Sequence, residues 1–169
     1  PNHPQAQTQL HTGNFQFVRP SLGAWTLYGL GTDNQSLPGF VTLAPPNGAQ
    51  NYGSAFLPAI YQGTPIGKQA RNRFAAAADS SPVRNISNPN LSPELQRVQL
   101  DYIKSLNMET LKRDEYNPEV EGLIESFELA YRMQDEVPGV LDISKEPESI
   151  KELYGLNDRT TERFGRQCL

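Results

Sequence analysis

The sequence predicts an α/β fragment, mostly helices and ordered loops with one or two short strands. Three observations predict it. The composition divides near residue 90: five Lys/Arg face two Asp/Glu before it, with ten of the fourteen prolines and nine of the thirteen glycines, whereas ten basic residues face seventeen acidic ones after it. In the second part, helix-start residues at Ser92 and Asn117 precede apolar residues at helical spacing. In the first part, Gly39 to Ala44 ("GFVTLA") is a short β-branched and apolar run between Pro38 and Pro45-Pro46, the pattern of a buried parallel strand.

Taken in order, "PQAQTQLH" after Asn2-His3 reads as a short helix with Pro4 at its first position and a polar residue capping it. "SLGAWTLYGL" reads as a second helix with Ser21 as cap, and Gly23 counts against it because glycine lowers helix propensity. The glycine-rich "YGLGTDNQSLPG" lacks the GK[ST] ending of a phosphate loop and follows no predicted strand, so it is read as a helix C-cap and a turn in which Asp33 and Asn34 cap or turn the chain. "RFAAAADSS" reads as a helical turn or surface insertion with Asp79 solvated, and "SPVRNISNPNLS" as an ordered loop rich in Asn and Pro.

The second part has clearer punctuation. "SPEL" supplies the Ser92 cap, Pro93 at the first helical position and Glu94 toward the positive end of the dipole. Leu95, Val98, Tyr102 and Leu106 then follow at helical spacing to about Lys112. "NPEV" at Asn117 repeats the pattern, with Val120, Leu123, Ile124, Phe127 and Tyr131 on one face and a break expected near Glu136, at Val137-Pro138-Gly139. The short gap from Arg113 to Tyr116 predicts an antiparallel helical hairpin packed through these two faces. A shorter helix should follow Pro147 and stop at Gly155, with Leu156 making the apolar contact after a glycine C-cap. A last helix should begin near Asp158. Residues 1–90 are thus read as the loop-rich α/β portion, and 91–169 as the helical portion, of one domain.

Composition narrows the function classes. The net charge of -4 and pI near 5.2 provide no broad basic face, and no Lys/Arg cluster is interleaved with aromatics, so nucleic acid is not expected as a partner. No apolar run is long enough for a transmembrane helix. Cys168 is the single cysteine, which excludes an internal disulfide and any zinc-finger spacing; it is expected to be a buried small apolar residue. The chain opens on Pro1 without an initiator Met and stops at "FGRQCL", where Phe164 and Cys168 begin a helical face, so it is expected to be an internal piece of a longer protein.

His3 and His11 are the only histidines, the side chains that titrate near neutrality without perturbation. Asn2-His3 ahead of Pro4 stands at a predicted helix N-terminus, where unpaired N–H groups and the dipole favour a phosphate or sulfate. The plainer reading makes both histidines structural or surface residues. No acidic residue of the helical half falls into HExxH or calcium-loop spacing.

The blocks "NHPQAQTQLHTG", "RPSLGAWTLYGLGTDNQSLPGFVTL", "FLPAIYQGTPI", "ISNPNLSPELQRVQLDYIKSLN", "SFELAYRMQ", "KEPESIKELYG" and "FGRQCL" together resemble the middle of an exported bacterial family known as domain of unknown function 1501. The likeness spans nearly the whole chain, and Arg71 to Pro82 is its least typical part. That family resembles a branch of the alkaline phosphatase and sulfatase superfamily, in which a central sheet is flanked by helices and a metal centre sits at the strand ends. The resemblance implies a metal-dependent hydrolase of phosphate or sulfate esters, with zinc, calcium or magnesium held in the full-length protein and none by this piece alone. It places His3 at or beside the nucleophile's position, where sulfatases carry Cys or Ser and phosphatases Ser or Thr, and makes Thr12-Gly13 the turn that closes the nucleophile-bearing helix.

By that resemblance His3 and Thr12 hold the catalytic positions, His3 is also the candidate metal ligand, and Asn2, His11 and Arg19 are the candidate ester-oxygen contacts, with a structural ion pair as the plainer reading of Arg19. The implied partners are the remainder of the same domain and a phosphate or sulfate ester, and the implied location is the periplasm or cell surface. The alternatives are a non-catalytic binding or surface-assembly protein of the same fold and, more remotely, a helical interaction module formed by residues 92–169.

Overall fold

The computed structural model of the chain describes residues 2–45, 48–67, 83, 86–114 and 117–169. The "RFAAAADSS" reading and Asp79 lie outside these residues. The described part is mostly helical with one short two-stranded parallel sheet, in keeping with an α/β fragment. Its residues fall into two compact units, Pro1–Asp135 and Glu136–Leu169.

In the first unit, α1 (His3–Thr12) starts one residue before the expected Pro4, with Asn2 as its cap, and α2 (Leu22–Leu30) starts where expected, the Ser21 hydroxyl accepting the Ala24 N–H at 3.3 Å. Gly23 turns out to serve packing. A Cβ there would collide with the ring of Phe40, so the glycine opens α2 to the segment that leads into the sheet. On the same side of α2, Leu27 is 7% exposed and its Cδ1 lies 2.5 Å from where a Gly39 Cβ would stand. Ala24, Leu27 and Tyr52 are buried hydrophobics of this region, and the Ser21 N–H donates to the Gly53 carbonyl at 3.0 Å.

The sheet pairs β1 (Val41–Leu43) with β2 (Thr64–Ile66) in parallel, Val41 opposite Thr64 and Leu43 opposite Ile66. The parallel arrangement agrees with the sequence, but the burial does not. Val41 and Leu43 are 41% and 49% exposed because, among the described residues, no second layer covers their side of the pair. β2 was hidden in the sequence by Pro65, which lacks the ladder donor and is tolerated only where its nitrogen is not needed.

α3 (Pro93–Asp114) and α4 (Pro118–Val140) start at the expected caps, the Ser92 hydroxyl accepting from Leu95 at 3.3 Å and Asn117 Oδ1 accepting from Val120 at 3.2 Å. They run antiparallel. Arg97 meets Glu128 and Tyr131, while Leu100 and Asn107 share a narrow gap with Ile124 and Phe127. The expected packing face is the one that points away: Leu95, Val98, Tyr102 and Leu106 are 54%, 63%, 64% and 48% exposed. α3 carries two apolar stripes, and the half-buried one runs through Leu100 and Ile103. The expected stop near Glu136 also moves, because Pro138 sits in the last turn of α4 and the helix continues to Val140, where the Leu141 N–H reaches the Val137 carbonyl at 3.0 Å.

Arg97 ties the hairpin together. Its Nη1 and Nη2 each donate to a Glu128 oxygen at 2.9 Å, its Nε donates to Asp101 at 3.0 Å, and its guanidinium lies 5.0 Å from the Tyr131 ring centroid. These hydrogen bonds hold the Glu128 carboxyl below the usual carboxylate range. A depressed folded pKa stabilises fully above the unfolded value, and that share is lost as pH falls through the folded one. With side chains 29% and 22% exposed, the pair should contribute about 1–2 kcal/mol. Glu128→Gln is therefore expected to lower the melting temperature at neutral pH and to flatten its decline below about pH 4.5; parallel acid profiles for the two proteins would show that the pair stabilises nothing.

In the second unit, a 3-10 turn (Ile143–Lys145) leads to α5 (Glu148–Leu153), which ends as the sequence indicates: Gly155 adopts φ 68° and the Leu156 N–H reaches back to the Lys151 carbonyl at 2.9 Å. α6 (Glu162–Cys168) begins later than the expected start near Asp158, since Asp158 Oδ1 accepts the Thr160 N–H at 2.7 Å and makes a turn there. Cys168 is exposed, which corrects the expectation that it is buried; Phe164, one turn earlier on the same face, is 70% exposed.

Candidate functional site

The candidate site begins with α1. Asn2 and Gln5 form a capping box: the Gln5 N–H donates to Asn2 Oδ1 at 3.2 Å and the Asn2 N–H to Gln5 Oε1 at 3.1 Å. Pro4 has no N–H to offer, so the cap leaves the His3 N–H as the open donor of the first turn. His3 is exposed at the first helical position.

At the other end, Gly13 takes φ 73° and its N–H reaches Gln9 O at 2.9 Å, building the Thr12-Gly13 turn. Thr12 is half-buried, and its hydroxyl lies 2.8 Å from the Thr8 carbonyl and 2.6 Å from that of Asn14. Both are backbone acceptors that fasten the turn. Neither is a general base. His11 is exposed in the last turn.

The five residues named from sequence are thus parted. Asn2 and His3 stand at the start of α1, with His11 and Thr12 about 12 Å further along its axis at 1.5 Å per residue. Thr12 and Arg19 do come together, lining with Thr8 and Gln50 a cleft of about 70 Å³, far smaller than ordinary ligand sites. Arg19 is exposed and makes no ion pair among the described residues.

Among the described residues no three His, Cys, Asp or Glu side chains converge as metal ligands do.

A model of the family described as "Protein of unknown function (DUF1501)" matches residues 1–169. The chain belongs to the DUF1501 family. No curated protein and no solved structure matches it.

Sequence reasoning missed a concavity of about 500 Å³ in the first unit, between the 31–39 segment and α4. None of Asn2, His3, His11, Thr12 and Arg19 lines it. Its one legible part is the turn at Asn34, whose Oδ1 accepts the Ser36 and Leu37 N–H groups at 2.9 Å each. Nothing local in the sequence joins that turn to Arg132.

Proposed function

We propose that this DUF1501 chain is the central part of a sulfatase-like domain of the alkaline phosphatase superfamily, hydrolysing phosphate or sulfate esters with metal ligands supplied by the remainder of the domain. One observation carries the fold half of the reading, the parallel pairing of β1 with β2. Parallel strands occur almost only in α/β sheets covered on both faces, and a two-stranded sheet is marginal alone. The half-exposed Val41 and Leu43 then belong to a larger sheet with a covering layer.

The chemical half rests on the family resemblance and on the place of His3 at the head of α1, ahead of the Thr12-Gly13 turn. Export to the periplasm or cell surface belongs to the same proposal. A second reading, a non-catalytic binding or surface-assembly protein of the same fold, draws support from the capping box, because Asn2 and Gln5 already satisfy N–H groups that a bound anion would use.

The test uses the complete protein. His3→Ala is expected to lower metal content or aryl phosphate and aryl sulfate hydrolysis by about 10–100-fold. The melting temperature should hardly move, since His3 is exposed. Metal is read by mass spectrometry and hydrolysis by released phenol. Unchanged metal and activity remove His3 from the site, and a metal-free, inactive wild type selects the second reading.

A further inference from the structure

We propose that the groove between the 31–39 segment and α4 binds a small organic monoanion, a carboxylate or sulfate on an apolar body, with Arg132 as its anchor. The volume of about 500 Å³ lies in the range of small-molecule sites. Its lining is apolar at Leu27, Leu37, Ile60, Tyr61, Ile124 and Leu129, which suits an aromatic or branched body.

The headgroup is chosen by Arg132. Its Nε donates to the Gln35 carbonyl at 2.7 Å, and Gln35 is carried on the turn that Asn34 fastens. That bond sets the plane of the guanidinium, while its Nη groups meet no carboxylate among the described residues. A guanidinium oriented through Nε and open at both Nη groups is a prepared fork for two oxygens of one anion. Arg97 shows the opposite condition, with its fork filled by Glu128 and Asp101.

A second cation and two acids also line the groove. Lys104 lines the groove from α3, its Nζ 3.5 Å from a Glu128 oxygen that Arg97 already holds at 2.9 Å. The Glu128 charge is therefore matched before any ligand arrives. Glu125 also lines the groove, two helical turns before Arg132 and about 10 Å away along the axis, so the anionic headgroup is assigned to the Arg132 end. The site shares no residue with the α1 set, so it stands or falls apart from the ester-hydrolysis reading.

Isothermal titration calorimetry of the complete protein with benzoate, phenyl sulfate and neutral benzyl alcohol tests the proposal. Saturable binding of at least one anion is expected, with benzyl alcohol bound at least about tenfold more weakly, since the neutral analogue leaves the fork unpaired. Benzoate bound more tightly assigns a carboxylate, and phenyl sulfate bound more tightly assigns a sulfate. Arg132→Gln should weaken the anion by about tenfold or more, and Arg132→Lys by less, because charge survives but the fork does not. Lys104→Met provides a second variant that leaves the Gln35 contact intact, with a loss of about threefold expected. The proposal is overturned by the absence of saturable binding for both anions, by benzyl alcohol binding as tightly as they do, or by anion affinity unchanged in Arg132→Gln.

Discussion

Leu27→Ala is expected to cost the first unit about 2–5 kcal/mol, the range for deleting a buried leucine side chain and leaving part of its volume empty. The side chain is 7% exposed and is pressed against Gly39, so a cavity opens between α2 and the segment leading to β1. Leu22 on the same helix supplies the control. It is 71% exposed, and Leu22→Ala should fall within about 0.5 kcal/mol of the wild type. Denaturant unfolding followed by the fluorescence of Trp25, the only tryptophan and two residues from Leu27, compares the three proteins. Equal losses at Leu22 and Leu27 would show that α2 is not anchored through its Gly39 side.

The features legible in the sequence are those set by a few neighbouring residues. Asn2, Ser21, Ser92 and Asn117 each place a short polar side chain ahead of a helix, and each accepts an N–H from the first turn. Gly155 and Leu156 announced the end of α5 for the same reason, because the left-handed cap and its backward bond lie within one turn. Asn34 was legible as a turn residue.

What escaped depends on partners distant in sequence. The spacing of Leu95, Val98, Tyr102 and Leu106 is a sound helical stripe, yet Arg97 lies on another face and its pairing with Glu128 and Tyr131 sets the rotation of α3. Periodicity finds stripes and cannot rank two of them. Gly23 looked like a weakness in a helix until Phe40 was placed over it. The candidate site divides in the same way: the polar cap ahead of α1 was readable and the Thr12-Gly13 turn came from the family resemblance, whereas the capping box, the partners of the Thr12 hydroxyl and the contact from Arg132 to Gln35 required coordinates.

The second unit makes an expectation of opposite signs at two glycines. A Cβ at Gly165 would overlap the carbonyl oxygen of Tyr154 and lie 3.0 Å from Leu156 Cδ1. Backbone cannot swing aside as a side-chain tip can, and this carbonyl is held by its surroundings: Gly155 is fixed at φ 68°, the Leu156 N–H is bonded to Lys151, and the Thr161 hydroxyl donates to the Gly155 carbonyl at 2.7 Å. Gly165→Ala gains about 1 kcal/mol of helix propensity, but overpacking against a fixed backbone costs about 3 kcal/mol or more, so the net is a loss of about 2 kcal/mol. Gly139, in the last turn of α4, has nothing within 4 Å of a Cβ, and Gly139→Ala should be neutral or stabilise by up to about 1 kcal/mol. Amide hydrogen exchange separates the two, because local opening is read residue by residue. Protection from Lys151 to Cys168 should fall about tenfold or more in Gly165→Ala, as about 1.4 kcal/mol is a factor of ten, and should hold or rise in Gly139→Ala. Protection unchanged in Gly165→Ala would mean that α6 moves off Tyr154 at no cost, and the close approach would then not be what holds α6 against the end of α5.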